Sequence, residues 1–333
     1  MTSSLATERP LSESAMAHQA GLATIDSLLQ ALRTGDTDAL KALSTSSVSA
    51  QASHRGHLAG PVEIAAMFGP FAKMQEMHLS SSNVYLAGTM TRARGSGYLA
   101  GRVIDTKELS FGVVFVVDLT REFSTDPWKI SGLKVQLTWT EGVKELRPDW
   151  TFPVHEKIWT EGDPLPVIVS EVDAPWHVHP NNELQTSDVR DVEDTYARYS
   201  WAIDQADFGL LTGCYTEDAA GTFRPMGPLS GRHAIIGVLK DFRRAWPWMQ
   251  HYGQVLGSVI EGDDAAIIVG RTIPQSNLER GMFGAYYPMR LRRSGALWRI
   301  TWTEYRPGWF RSADVDMDKL LAVTMSGEGD WAQ

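Results

Sequence analysis

Four side chains in the second half of the chain have the types and spacing that acid–base chemistry requires. Tyr196, Tyr199 and Asp204 lie in one stretch of helical periodicity, where eight residues make about two turns. His251 follows 251 − 204 = 47 residues later. A carboxylate on one imidazole nitrogen fixes the tautomer and makes the other nitrogen a better base. Asp204 and His251 therefore predict a general base, with Tyr196 or Tyr199 as hydrogen-bond donor or acid. In the structural alternative, Asp204 caps a loop and His251 is a core residue.

Helices and strands must bring these side chains together. Apolar spacing predicts a helix from about 188 to 204 with Asp188 as its N-cap, a short helix at 210–215 and a third at 233–245. Strand-like segments follow at 254–260, 265–273, 284–292 and 298–305. Three helices leading into a strongly curved antiparallel sheet predict an α+β fold, with the helices covering one face of the sheet.

The first half of the chain repeats this order. Asp36 corresponds to Asp207 and Gly60 to Gly231, each pair 171 residues apart (207 − 36 and 231 − 60). Two further pairs agree within three residues: Trp128 with Trp298, and His78 with His251. A repeat of this length predicts a duplicated domain, because solenoid units are far shorter.

The two copies differ where the chemistry is expected. Tyr196, Tyr199 and Asp204 are matched by Ile25, Leu28 and Arg33 in the first copy. Replacing two phenols by apolar side chains and a carboxylate by a cation predicts a filled pocket. The first copy is therefore expected to be degenerate, with His78 as a core or strand residue.

The predicted organisation has five parts. Residues 1–20 form a flexible tail, 21–150 the first domain and 187–312 the second, with residues 313–333 as a C-terminal tail or short terminal helix. Residues 151–186 are rich in proline but too apolar for a free tether, so this linker is expected to pack on the domains. The sequence Thr138–Glu141 recurs as Thr301–Glu304. We interpret these two repeated segments as docking elements at a domain interface, with a role at the rim of the pocket as the alternative.

Composition excludes several classes of function. A net charge of −9 opposes binding to nucleic acid, which needs a basic surface. No apolar run is long enough for a membrane span and no signal peptide is visible, so a cytoplasmic protein is expected. The single cysteine, Cys214, excludes an intrachain disulfide. His177 and His179 have a metal-compatible spacing, but no further ligands cluster nearby, so no metal is predicted.

Aromatic and cationic residues of the second copy are candidates for substrate binding. Rings favour an aromatic ligand through apolar burial and stacking, although a curved sheet also needs large side chains for its core. Arg224, Arg271 and Arg290 could orient a carboxylate, phenolate or carbonyl oxygen, or lie on the surface. The predicted substrate-binding set is Trp201, Phe223, Arg224, Trp248, Arg271, Tyr286 and Trp302.

The second copy resembles the SnoaL-like branch of the nuclear-transport-factor-2-like superfamily. The resemblance lies in residues 196–223, Gly231-Arg232, His251-Tyr252-Gly253 and the closing Trp298-Arg-Ile-Thr, and it extends more weakly over most of the first copy. It implies two tandem cone-shaped α+β barrels, each a bent sheet around a pocket closed by N-terminal helices. Such domains associate, so an internal pseudo-dimer and further homo-oligomers are expected.

Within that superfamily, Tyr196, Asp204 and His251 are most similar to positions of hexachlorocyclohexane dehydrochlorinase and, more distantly, scytalone dehydratase. The resemblance implies elimination by an Asp–His pair without a cofactor. The dehydrochlorinase has a cationic residue one turn after the tyrosine, where this chain has Tyr199. This difference disfavours halide elimination and favours a substrate with oxygen functions.

The sequence therefore predicts a cofactor-independent lyase acting on a small aromatic or polycyclic substrate. It would remove water or a small carbonyl fragment such as formaldehyde, and the resemblance extends to members that deformylate lignin-derived diarylpropanes. Isomerisation or cyclisation of polyketide-like substrates would use the same base. A non-enzymatic ligand-binding protein of the same fold is the competing hypothesis.

Overall fold

The computed structural model describes residues 11–69, 76–153, 160–163, 166–223, 226–246, 248–274, 282–308 and 315–327. Within these ranges the α-helices of the first copy are α1 (Glu13–Thr34), α2 (Thr37–Leu43) and α3 (Gly60–Ala65). Its strands are β1 (Ser44–Ala52), β2 (Gly56–Ala59), β3 (Glu76–Gly88), β4 (Arg92–Ile104), β5 (Glu108–Thr120) and β6 (Lys129–Gly142).

In its described part the connection carries a 3₁₀ turn (Glu171–Asp173) and the short helix α4 (Pro175–Val178), and it leads into the second copy. The helices of this copy are α5 (Asp188–Asp204), α6 (Phe208–Cys214) and α7 (Arg232–Arg244), followed after the sheet by α8 (Met317–Ser326). Its strands are β7 (Tyr215–Phe223), β8 (Gly227–Ser230), β9 (Tyr252–Glu261), β10 (Asp264–Pro274), β11 (Met282–Ser294), β12 (Leu297–Glu304) and β13 (Arg306–Pro307).

The two sheets have the same strand order. The first runs β2-β1-β6-β5-β4-β3 and the second β8-β7-β12-β11-β10-β9, with β13 pairing on β11. The predicted α+β class, with helices preceding each curved sheet, is confirmed. The sheets are not purely antiparallel, however, since β1 pairs parallel with β6 and β7 with β12. These edge hairpins were not predicted, because their short polar segments lack an apolar strand pattern.

Two helix starts differ from the prediction. The first helix begins at Glu13, within the predicted tail, because Ser12 caps it and Ala17 and His18 are buried. The cap of α5 is Ser187, whose hydroxyl accepts the Arg190 N–H, so Asp188 is the first helical residue. Residues 317–326 form α8, the terminal helix that was one of the two interpretations of this segment.

An apolar face explains why α8 is ordered. Leu321 is buried against Ala266 and Ile268 on the outer face of β10, and Met317 packs beside them. Because side chains alternate between the two faces of a strand, Ala266 and Ile268 point away from the interior of the second copy. No helix in the described part of the chain is long and apolar enough to span a membrane.

The first sheet is buried on both faces. Val113, Phe115 and Val117 of β5 point into the core of the first copy, while Val114 and Val116 point the other way. The second face packs on what we call the inter-copy cluster, which comprises Tyr98, Val114, Val116, Trp139, Val169, Ala174, Trp201 and Tyr252. Val169 and Ala174 belong to the connection, so this segment is anchored on the first sheet at these two residues.

Candidate active site

The end of α5 and the start of β9 meet at a buried carboxylate–imidazole pair. The Nδ1 atom of His251 donates to Oδ1 of Asp204 at 2.6 Å, and the main-chain N–H of His251 donates to Oδ2 at 2.7 Å. Only 3% of Asp204 and 5% of His251 is exposed. Two bonds from one carboxylate to one residue fix both the ring orientation and the Nδ1–H tautomer.

The surroundings keep this imidazole neutral. Burial lowers the pKa of His251 below its ordinary 6.5, although the Asp204 carboxylate acts in the opposite direction. The cations of Arg271 and Arg243 lower this pKa further. At neutral pH the ring can therefore accept a proton at Nε2, as a general base requires.

Arg243, which the sequence did not single out, ties α7 to the carboxyl end of α5. Its Nε and Nη2 atoms donate to the main-chain oxygen of Asp204 at 3.1 and 2.9 Å, and Nη1 donates to the Trp246 oxygen at 3.1 Å. These bonds satisfy a carbonyl at the open end of α5. Arginines occupy the last turn of many helices, so no local signal distinguished Arg243.

A cavity of about 220 Å³ lies beside the pair. Its polar lining consists of Tyr199, His251, Arg271 and the hydroxyl-bearing rings of Tyr287 and Tyr305. Its apolar wall includes Phe223, Phe242, Trp246, Met249 and Phe283. Since Phe242 and Phe283 are exposed, they lie at the mouth of the cavity. An aromatic wall with a few convergent polar groups is typical of a small-molecule site.

The two predicted tyrosines have different positions. Tyr199 lines the cavity, with its ring centroid 6.1 Å from that of His251. Burial raises the pKa of Tyr199 well above its ordinary value, so its hydroxyl stays protonated and can donate. Tyr196 lies outside the cavity lining, and its ring is so close to Gly253 that a Cβ there would come within 1.9 Å. Tyr196 therefore packs the start of β9.

Of the predicted substrate-binding residues, Phe223 and Arg271 line the cavity and four others do not. Trp201 is buried in the inter-copy cluster, on the opposite side of α5 from Tyr199. Trp248 packs between this cluster and the core of the second copy. Trp302 and Tyr286 lie on β12 and β11 outside the lining. Arg224 lies outside the described residues.

A bulge explains the position of Trp302. Trp298 and Ile300 point inward, and strict alternation would place Trp302 beside them. The pairing with β11 skips Thr301, however, so Trp302 points outward and stacks on Arg290, whose Cζ is 4.9 Å from the ring centroid. Of the two repeated segments, Thr138–Glu141 contacts the other copy through Trp139. The corresponding Trp302 is not part of the inter-copy cluster.

The first copy holds the segment that carries His251. Asn83 of β3 donates from Nδ2 to the His251 oxygen at 2.8 Å and accepts the Gly253 N–H at 2.9 Å. Asn83 has a φ of 56° at a bulge in β3, a left-handed conformation that asparagine tolerates. Both main-chain groups next to His251 are thus satisfied by the other copy.

A second set of inter-copy bonds flanks the same segment. Gln250 donates to the Val113 oxygen at 2.8 Å, while its Oε1 accepts from Tyr252 at 2.6 Å and from Trp139 Nε1 at 3.2 Å. The Tyr252 hydroxyl also contacts the Leu99 oxygen at 3.3 Å. A buried network this fully bonded fixes the position of the chain.

The first copy has no corresponding pair. Ile25 and Leu28 are fully buried in its core, and Arg33 is exposed and bonded to Gln30. His78 lies on β3 as an exposed strand residue 3.3 Å from Glu76, so it is not in the core. Across the described ranges, no three His, Cys, Asp or Glu side chains cluster as a metal site would require.

Fold and site together define a cone-like α+β domain with a carboxylate–imidazole pair at an aromatic cavity. Residues 185–304 match the SnoaL-like domain family, and this part of the chain is a SnoaL-like domain. The match spans α5 to β12 and includes both Asp204 and His251. No curated protein matches the sequence.

Several solved structures are similar to about one copy of the chain. A protein of unknown function from Mycobacterium tuberculosis is 22% identical, with 41% of this chain and 82% of that chain covered and a TM-score of 0.33. A provisionally named scytalone dehydratase from Novosphingobium aromaticivorans is 17% identical (36% and 84% covered, TM-score 0.33). A hexachlorocyclohexane dehydrochlorinase from Novosphingobium barchaimii is 20% identical (37% and 88% covered, TM-score 0.33).

Proposed function

We propose that the second copy is the catalytic domain of a cofactor-independent lyase acting on a small aromatic compound. One observation carries this proposal. His251 binds Asp204 through Nδ1 and lines an aromatic cavity, so Nε2 is left for a ligand. A neutral imidazole with a lowered pKa, oriented by a carboxylate, has the properties of a general base.

Dehydration needs no group beyond those in the cavity. Nε2 of His251 takes a proton from the carbon next to the leaving hydroxyl, and the C–H electron pair forms the double bond. The C–O bond breaks with its electron pair on oxygen, and the imidazolium returns its proton to that oxygen, so water leaves and His251 is neutral again. Asp204 stabilises the imidazolium, while the Tyr199 hydroxyl donates to the departing oxygen.

The same base can release a small carbonyl fragment such as formaldehyde. Nε2 then takes the hydroxyl proton of a hydroxymethyl group, and the C–C bond breaks with its electron pair on the carbon that remains. The imidazolium protonates this carbon. Both reactions place the acidic proton at His251 and the aromatic part of the substrate against the Phe223 side of the cavity.

The test is turnover without an added cofactor. Phenolic and polyketide-like compounds carrying hydroxyl or hydroxymethyl groups are incubated with the wild type and with Asp204→Asn and His251→Ala. His78→Ala is the matched control, because it removes the exposed histidine of the first copy. We expect turnover by the wild type and the control, and a fall of about 10²–10⁴ in the two site variants.

Two results would contradict the proposal. Turnover that survives unchanged in both site variants would remove the assigned roles of Asp204 and His251. Compounds that bind in the cavity without being converted by any form of the protein would instead identify a ligand-binding protein of the same fold.

A further inference from the structure

The cavity contains a cation that lacks a negative partner. Arg271 lies on the inward face of β10 together with Val269 and Ile273, lines the cavity, and is only 6% exposed. Its Nε atom is buried without a hydrogen-bond partner. Within the described ranges no carboxylate pairs with this guanidinium.

The buried carboxylates of the second copy are all engaged elsewhere in the part that the structure describes. Asp204 holds His251, Asp194 pairs with Arg190 at 2.7 Å, and Asp207 binds the side chain of His177. None of these three acids is left over to neutralise Arg271. The positive charge of Arg271 is therefore not neutralised by an acid of the second copy, and it faces a cavity that a ligand can enter.

Aromatic rings compensate the charge of Arg271 only in part. Its Cζ lies 4.9 Å from the ring centroid of Tyr287 and 5.4 Å from that of Tyr305. Ring faces attract a cation more weakly than a carboxylate does, and a buried charge without a counter-ion is costly. Tyr287 also hydrogen-bonds the guanidinium, so the group is held in place and its unpaired Nε–H is oriented before a ligand arrives.

We propose that the site takes small aromatic carboxylates, with the carboxylate on Arg271 and the ring in the cavity near His251. The guanidinium fork matches a carboxylate in geometry and charge. A phenol, whose ordinary pKa is about 10, brings no charge at neutral pH. This inference rests on the proposed function only in placing the reacting part of the ligand at His251, since binding requires no turnover.

Calorimetric titration at pH 7.5 with naphthoate, naphthamide and naphthol tests this inference. We expect the wild type to bind naphthoate at least about tenfold more tightly than the two neutral analogues, the effect of one charge-assisted hydrogen bond. Arg271→Gln should lose this preference. Arg290→Gln is the matched control, because Arg290 also stacks on an aromatic ring but on the outer side of the sheet, and it should bind like the wild type.

His251→Gln separates this inference from the proposed lyase, since it should abolish conversion while still binding naphthoate. Equal affinity for naphthoate and naphthamide, tighter binding of naphthol, absence of naphthoate binding, or unchanged binding by Arg271→Gln would each overturn the inference. The affinities of the wild type for the three ligands test the inference even if Arg271→Gln does not fold.

Discussion

The most direct test of the proposed chemistry is to replace Asp204 by asparagine. In the wild type both carboxylate oxygens accept hydrogen bonds from His251, one from Nδ1 and one from the main-chain N–H. An amide of the same shape can accept only one of them. If its oxygen keeps the main-chain bond, its NH₂ group faces Nδ1, and the ring must carry its proton on Nε2 instead. Nε2 then no longer accepts a proton.

The expected magnitudes follow from this exchange. Each bond to the buried carboxylate contributes about 1.5–3 kcal/mol, and the variant keeps both bonds at the neutral strength of about 0.5–1.5 kcal/mol each. Asp204→Asn should therefore lower the free energy of unfolding by about 2–3 kcal/mol. It should also move the pKa of His251 further below 6.5, because Asp204 is the group that raises this pKa against the effect of burial.

The tautomer can be observed without knowing the substrate. Long-range ¹H–¹⁵N correlation spectra of the histidine-labelled protein should show the Nδ1–H form of His251 at pH 7 in the wild type, titrating below pH 6.5, and the Nε2–H form in Asp204→Asn. Asp207→Asn is the matched control, since Asp207 is another buried aspartate that follows α5 but does not touch His251. A wild-type His251 in the Nε2–H form, or one titrating at or above pH 6.5, would refute the assignment of the base.

Two further predictions concern the support of this pair, and a third concerns the core of the first copy. Tyr199→Phe should lower kcat by about 10² by removing a hydrogen-bond donor, with little change in KM, and equal kcat values would exclude this role. Asn83→Ala leaves two main-chain groups unpaired and should lower the free energy of unfolding by about 1–3 kcal/mol in urea titrations, together with kcat. Burial lowers the pKa of His54 to about 3, below its unfolded value of 6.5, so its contribution to stability is present above pH 6.5 and is lost as the pH falls. At pH 4 this loss is about 3 kcal/mol; urea midpoints at pH 7 and 4 should differ less in His54→Phe, and an equal difference would contradict the cause.

Only one half of the Asp204–His251 pair could be predicted from a local pattern. The helical spacing of α5 places Asp204 near a helix end. His251 lies 47 residues later, and its choice as the partner followed from the family resemblance. The correspondence of Asp36 with Asp207 agrees with the structure, since the two residues cap corresponding helices.

The lining of the cavity was predicted less well, because a shift of one residue reverses the face of a strand. Tyr287, and not Tyr286, lines the cavity. The signal was present in the sequence, since Tyr287 shares its face with the buried Met289 and Leu291. For Trp302 there was no such signal, because the bulge that turns it outward lies in the pairing with β11.

Most contacts between the copies have no local sequence pattern. Trp139 was predicted within a docking element, but Trp201 was assigned to the pocket, because only the packing of one copy on the other separates an interface role from a pocket role. Asn83 is still less conspicuous, as one polar residue among several on a strand. Its importance comes from a left-handed bulge and from the segment opposite, neither of which has a local sequence pattern.

These contacts give the first copy a function that does not require a site of its own. Its interior is filled by side chains such as Leu28, while its outer face binds Gln250, His251 and Gly253 through Val113 and Asn83. A β9 segment without these partners would leave buried main-chain groups unsatisfied, which is costly wherever water is excluded. The first copy therefore supports the segment that carries His251. The bonds come from the Asn83 side chain and the Val113 main-chain oxygen, so they do not depend on a polar site in the interior of the first copy.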